Sequence, residues 1–289
     1  MRVLIAGADG QLGWELQRLA PSNVELVATD TEQLDITQEA CVEALVATRQ
    51  PDVIINAAAY TAVDKAESDV DTAYAVNRDG VANLARAAQK HNIRLIQIST
   101  DFIFDGSQSS PYDTDVQAHP LGVYGDSKWQ GENAVKEIMG DKTLLLRTSW
   151  VYSSHGTNFV KTMLRLMAEK SQLGVIADQV GTPTWAGGLA RAIWSIVEQP
   201  ALVGTFHWTD AGVASWYDFA LAIQEEGINI GLLSKKIKIN PLNTKEYPTP
   251  AARPPYSVLD KTSTWSALDV ECMHWREALK LMLAELAEQ

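Results

Sequence analysis

Tyr124-Gly125-Asp126-Ser127-Lys128 sets a phenol and an ammonium four residues apart at the start of an amphipathic stretch. On a helix those two side chains share a face. The pair suits one kind of chemistry. Hydride addition to a ketone leaves an alkoxide that needs a proton, and a phenol beside an ammonium can supply it. A free tyrosine, with a pKa of about 10, is a slow acid at neutral pH, and the spacing predicts that the lysine draws that value down. Ser99-Thr100 closes an apolar run 24 residues before Tyr124. A hydroxyl at the carboxyl end of a strand is placed to hold the same carbonyl oxygen. Thr100, Tyr124 and Lys128 are therefore the candidate catalytic residues. Lys128 is also placed to hold the ribose of a nicotinamide cofactor.

A Tyr-x-x-x-Lys alone recurs by chance, and its company is what gives it weight. Gly7-Ala8-Asp9-Gly10-Gln11-Leu12-Gly13 follows the first apolar run directly and opens a helical stretch. Glycines there permit a tight turn and let backbone N–H groups reach a pyrophosphate, and the helix N-terminus adds unpaired donors. At a first strand-to-helix junction this is a strong signal for a dinucleotide. Gly7, Gly10, Gln11, Leu12 and Gly13 are thus candidate cofactor-binding residues. Asp30, at the end of the second apolar run, is the residue type that accepts from an adenosine ribose 2′-hydroxyl. That favours NADH, and without a nearby arginine to argue the other way it still leaves NADPH open. Asp35 and Ile36 are placed to flank the adenine. In Asn56-Ala57-Ala58-Ala59, small side chains at Ala57 and Ala59 let a cofactor lie close to the sheet edge.

The elements that must position these groups alternate. Apolar runs at 2–6, 24–28, 53–56, 95–99 and 143–147 predict strands, and amphipathic stretches at 11–19, 38–48, 70–90 and 124–139 predict helices. Continuous apolar strands separated by helices imply a parallel sheet covered on both faces. Right-handed crossovers then give an α/β fold, a Rossmann-type doubly wound sheet. Regularity weakens after residue 150. Helices are expected at 158–168, 188–198, 216–226 and 274–287, with strands near 174–176 and 204–208. Pro241, Pro248, Pro250, Pro254 and Pro255 predict a long non-helical loop. The expected organisation is a cofactor-binding domain over 1–150. A smaller substrate-binding lobe follows over 151–289, with some of its segments returning to the sheet.

Composition narrows the function. A net charge of -12 without a Lys/Arg cluster argues against nucleic acid as a partner, and an anionic ligand must meet a local cation. Lys65 and Arg253 are the candidates for that role. No apolar run approaches the roughly 18 residues of a membrane span. The two cysteines, Cys41 and Cys272, form no disulfide or zinc pattern, and Cys41 is expected to be a small buried residue. Met1-Arg2 leads directly into the first strand, so no signal peptide and a cytoplasmic setting are expected.

Seven runs, in order along nearly the whole chain, resemble the dTDP-4-dehydrorhamnose reductases of the extended short-chain dehydrogenase/reductase superfamily. They are residues 7–16, 56–67, 99–106, 124–128, 147–152 and 179–184, and Arg253-Pro254 in the proline-rich segment. The resemblance implies NAD(P)H-dependent reduction of the 4-keto group of dTDP-4-dehydro-β-L-rhamnose, the last step of dTDP-rhamnose synthesis for surface polysaccharides. By the same resemblance Tyr124 is the proton donor, Lys128 its partner and Thr100 the carbonyl-binding hydroxyl. Ala59, Tyr60, Thr61 and Ile98 lie along the cofactor, Asp101 adjoins the sugar, and Trp150 packs against the substrate. The expected state is a monomer or a weak homodimer.

The chain departs from the family pattern in two places. Some relatives bind magnesium between subunits through glutamates. Glu15 is present, but Trp185-Ala186-Gly187-Gly188 supplies no second one, so no metal is expected. Phe102 stands where a tyrosine is frequent. A 4,6-dehydratase would need an Asp-Glu pair where Asp101-Phe102 stands, which argues against elimination. Two alternatives share most of these features: a nucleotide-sugar 4-epimerase, and a non-catalytic protein resembling the regulatory subunit of methionine adenosyltransferase.

Overall fold

The computed structural model describes residues 1–268, 270 and 273–289; Cys272 lies outside them. The first half runs β1 (Arg2–Ala6), α1 (Gln11–Arg18), β2 (Glu25–Thr29), α2 (Glu39–Arg49), β3 (Val53–Asn56), α3 (Val63–Ala66), α4 (Val70–Tyr74), α5 (Val81–His91), β4 (Arg94–Thr100), α6 (Val123–Met139) and β5 (Leu144–Thr148). The second half runs β6 (Val151–Tyr152), α7 (Phe159–Glu169), β7 (Gln172–Ile176), β8 (Val180–Gly181), β9 (Thr184–Trp185), α8 (Ala186–Val197), β10 (Gly204–His207), β11 (Ala214–Ser215), α9 (Trp216–Asn229), β12 (Lys238–Leu242), α10 (Thr262–Ala267) and α11 (Trp275–Ala287).

Six parallel strands form the central sheet in the order β10-β5-β4-β3-β1-β2. Strand side chains alternate between faces, and here both faces are buried. Val3 and Ile5 of β1 join Leu12, Leu16 and the α8 residues Leu189 and Ile193 on one side. Leu4 and Ala6 join Val42, Val46, Leu84 and Val135 on the other. Each fully buried aliphatic side chain contributes roughly 1.5–3 kcal/mol, which explains why these strands carry no polar face. The strand order reverses between β1 and β3. The carboxyl ends on either side of such a switch point define a ligand crevice, and the glycine-rich turn and the 56–59 segment both sit there.

The helix expected over 70–90 is interrupted. Between α4 and α5 a π turn spans Ala75–Gly80, an insertion that turns the Asn77 side chain inward. The proline-rich segment also begins differently from the expectation. Pro241 lies in β12, which pairs in parallel with β7 opposite Val175. A proline is tolerated because this two-stranded sheet leaves β12 an edge. A second core gathers α7, α9, α11, β7 and β12 around Phe219, Ile223, Met163, Trp275 and Leu279. Cys41 is exposed rather than buried, because the buried stripe of α2 runs through Val42 and Val46. Among the described residues no helix is long and apolar enough to cross a membrane.

Candidate active site

Gly7 has φ +81°, and its amide and that of Ala8 both donate to the Thr29 carbonyl, at 3.0 and 2.9 Å. A Cβ on Gly7 would stand 2.6 Å from the Ala58 nitrogen, and one on Gly13 would stand 2.1 Å from the Gly7 oxygen. Only glycine allows this turn to fold so closely onto α1 and the end of β3. No side chain caps α1, so its first amides are free to meet an anion.

A cleft of about 540 Å³ opens beside this turn. Its lining includes Gly10, Gln11, Leu12, Ala57, Ala59, Thr61 and Ile98, together with Thr100, Asp101, Tyr124, Lys128, Trp150 and Arg253. The catalytic candidates and most of the cofactor and substrate candidates are therefore brought together. Gly7 and Gly13 shape the turn from behind. Tyr60 is held beside the cleft, its amide donating to Asn77 Oδ1 at 2.9 Å and its hydroxyl to Asp69 at 3.0 Å.

Four further candidates do not line the cleft. Lys65 is turned outward and pairs with Asp69 one helical turn on, at 3.3 Å. Ile36 is a core residue packed against Gly80. Asp35 accepts from the Thr37 amide and hydroxyl, and Asp30 accepts from the Gln33 amide, so both carboxylates close their own turns.

Thr100 ends β4 and Asp101 opens the turn after it, both almost fully buried. The Thr100 hydroxyl donates to Asp101 Oδ1 at 3.1 Å, while Asp101 Oδ2 has no hydrogen-bond partner. Burial pushes the Asp101 carboxyl up to about 7, with the Ser257 and Thr100 hydroxyls only partly offsetting it. Tyr124 packs edge-on against Phe102, with centroids 5.5 Å apart. Its phenol is pushed up to about 12 by burial, against a lowering by the Thr100 hydroxyl and with a further push from the Asp101 charge. This reverses the direction expected from the Tyr-Lys spacing. Lys128 Nζ donates to the Ile98 carbonyl at 2.8 Å, and enclosure dominates the phenol. The ammonium itself is lowered to about 8 by burial, with Glu132 holding it up in part.

On the far wall Trp150 has φ +47°, a conformation that bulky residues rarely adopt. Its ring stacks on Trp216 at 3.5 Å and 6°, and Gly181 leaves room beneath it, where a Cβ would come within 2.6 Å. Arg253 Nη1 and Nη2 hold Asp64 at 3.0 and 2.7 Å, which ties the proline-rich segment to α3. Motif reading missed Asp64, Trp216 and Asn77. The Asn77 amide donates to the Tyr60 carbonyl and to Ser127 Oγ, both at 3.0 Å, so it brackets the cofactor-side loop to α6. Trp216 did have a local signal, the Ser215–Asp218 capping box that starts α9.

Glu15 does not fit a metal shared between subunits. It is fully buried, with one oxygen accepting from Ser153 Oγ at 2.8 Å and the other from Arg18 at 2.6 Å. Among the described residues no three His, Cys, Asp or Glu side chains are placed to share an ion.

Residues 1–288 match the family described as RmlD substrate binding domain. The dTDP-4-dehydrorhamnose reductase of Aggregatibacter actinomycetemcomitans is 44% identical, covering 96% of this chain and 97% of its own. The crystal structure of a dTDP-4-dehydrorhamnose reductase from Clostridium acetobutylicum is 41% identical, with a TM-score of 0.92 and 99% of both chains covered. That of the Bacillus anthracis reductase, in complex with NADP, is 38% identical with a TM-score of 0.93, covering 98% of this chain and 99% of its own.

Proposed function

Because the chain belongs to the dTDP-4-dehydrorhamnose reductase family, we propose that it reduces the 4-keto group of dTDP-4-dehydro-β-L-rhamnose to dTDP-L-rhamnose with NAD(P)H. The observation that carries the residue roles is the meeting of Thr100, Tyr124 and Lys128 in the cleft that the glycine-rich turn opens. When bound, the dihydronicotinamide supplies the hydride to C4. Thr100 and Tyr124 hold the carbonyl oxygen, and Tyr124 Oη gives its proton to O4 as the alkoxide forms. The enclosure that raises the phenol to about 12 keeps it in the acid form that reduction requires. Lys128, lowered only to about 8, is still an ammonium at neutral pH and steadies the phenolate left behind.

The amides at the start of α1 would meet the cofactor pyrophosphate, and Ala57, Ala59, Thr61 and Ile98 would leave room for the dinucleotide along the sheet edge. Asp30, its carboxylate already occupied by the Gln33 amide, would accept from an adenosine ribose only with its remaining lone pairs. That makes it a weak bar to NADPH. The sugar would lie between Asp101 and the Trp150–Trp216 stack, with Arg253 as the cation for the diphosphate. Residues 151–289 would then supply the substrate wall, apart from the segments that return to the sheet such as α8 and β10, in a cytoplasmic enzyme that works as a monomer or weak homodimer.

The test is NADPH and NADH oxidation with enzymatically prepared dTDP-4-dehydrorhamnose, beside Tyr124→Phe. Loss of general acid catalysis should lower turnover by roughly 100-fold or more, with cofactor binding retained. A folded, cofactor-binding protein that oxidises neither would refute the reductase reading. Interconversion of a sugar nucleotide by a retained NAD would favour the epimerase, and a stable complex with a synthetase would favour the regulatory protein.

A further inference from the structure

Glu132 follows Lys128 by four residues on α6, as Lys128 follows Tyr124. Phenol, ammonium and carboxylate therefore run along one face of the helix. Lys128 is 5% exposed and Glu132 1%. An ammonium and a carboxylate at this spacing ordinarily pair, and out of water their attraction is stronger. A different ion pair has formed. Arg147 of β5 grips both Glu132 oxygens, Nε to Oε1 at 2.9 Å and Nη2 to Oε2 at 2.8 Å. Lys128 Nζ turns instead to the Ile98 carbonyl at 2.8 Å, which leaves two of its three donors for the cleft.

Arg147 is itself held from several elements. Nη1 donates to the Thr114 carbonyl at 3.1 Å and meets His207 Nε2 of β10 at 3.2 Å. Burial and the guanidinium lower His207 to about 4, so the ring is neutral and accepts from Arg147, while Nδ1 faces the Asp260 carbonyl at 3.1 Å. The Phe104 ring lies 5.5 Å from the guanidinium carbon. Burial would push the Glu132 carboxyl up, but Arg147, joined by the Ser99 hydroxyl and Lys136, leaves it below its ordinary value. The other charged groups around the pair are Lys136, 3.7 Å from Glu132 Oε2, and Asp101 beside Tyr124.

We propose that Arg147 is a positioning residue for the Tyr124–Lys128 pair: by holding both oxygens of Glu132 it prevents that carboxylate from capturing Lys128. Without Arg147 the buried carboxylate keeps only Lys136, 3.7 Å away and 40% exposed to water, and the buried ammonium one turn back on α6 is the further cation it would draw; that ammonium would leave Ile98 and turn away from the cleft. The kinetic part of this inference rests on the reductase reading.

The test is a cycle of Arg147→Met, Glu132→Gln and the double variant, assayed at pH 6, where Lys128 is protonated in each. Arg147→Met should lower kcat by roughly 30-fold or more, since the partner of the general acid is diverted. Glu132→Gln should stay within about threefold, and the double variant should recover to within about fivefold, because removing both members of a buried pair is often tolerated. A purely structural ion pair would make the two single variants fail alike. If Arg147→Met does not fold, Arg147→Lys, which holds only one oxygen, should show a smaller loss that Glu132→Gln reverses.

A second readout needs no turnover: the pH midpoint of acylation of Lys128 by a small amine reagent, followed by mass spectrometry. It should lie near 8 in the native protein. It should rise by about a unit or more in Arg147→Met and return to or below the native midpoint in the double variant. Equal losses in the two single variants, or a double variant as impaired and as shifted as Arg147→Met, would overturn the proposal. Absence of turnover in the native protein would instead remove the reductase reading, and the labelling midpoints would still decide the role of Arg147.

Discussion

Asp101→Asn should change stability more favourably at pH 8 than at pH 5. The Asp101 carboxyl is 1% exposed, one of its oxygens lacks a partner, and burial pushes it from 3.8 to about 7. Between those two values the folded protein holds a proton that the unfolded chain has released. Stability therefore falls as the pH rises from about 4 to about 7, and the full cost is present above that. From the two values the cost is about 4 kcal/mol at pH 8 and about 2 kcal/mol at pH 5. Asparagine has nearly the same shape, keeps an oxygen for the Thr100 hydroxyl and carries no charge. Its NH₂ replaces an oxygen that was already unpaired, so that change adds a roughly pH-independent term. The difference between variant and native protein cancels every other titrating group, and should grow by roughly 2–3 kcal/mol from pH 5 to pH 8. Urea unfolding followed by tryptophan fluorescence at both pH values measures it. An equal difference at the two pH values would show that Asp101 titrates normally, and that burial is not what governs the carboxyl beside Tyr124.

Two further outcomes follow from close contacts. Gly7→Ala forces a side chain into φ +81° and within 2.6 Å of the Ala58 nitrogen. The backbone conformation alone costs roughly 1–2 kcal/mol, and relieving the contact opens the turn. NADPH affinity, read by fluorescence titration, should fall by about tenfold or more. Gly181→Ala puts a methyl within 2.6 Å of the Trp150 ring and should tilt the Trp150–Trp216 stack. The KM for the sugar nucleotide should then rise while NADPH binding is unchanged. An equal effect on both would place the stack on the cofactor side.

The candidate residues whose spacing is local were legible in the chain. The spacings of Gly7 to Gly13 and of Tyr124 to Lys128 each describe one turn or one helix face, and both β1 and β3 fall on the residues that their apolar runs predicted. What stayed hidden depends on segments far apart. Arg253 finds Asp64 across 189 residues, and the sequence shows only that an aspartate and a lysine, Asp64 and Lys65, stand side by side. Only the short helix α3 decides which of the two faces the proline-rich segment. The Asn77 bracket was invisible because a π turn preserves the apolar pattern on either side of it. Pro241 read as a loop because its strand is an edge strand, and edges are properties of a sheet. The direction of the Tyr124 shift belongs with these. A motif shows which charge can approach a phenol, but enclosure by Thr100, Asp101 and Phe102 sets what that phenol costs to ionise. The strained Trp150 makes the same point from the far wall. A backbone at φ +47° costs roughly 1–3 kcal/mol and persists only where its surroundings over-determine it. Here Gly181 from one later segment and Trp216 from another do so. Tyr124 is thus specified twice, by a spacing that can be read along the chain and by an enclosure that forms only when α6 packs beside the end of β4, whereas the opposite wall at Trp150 is specified only by contacts with later segments.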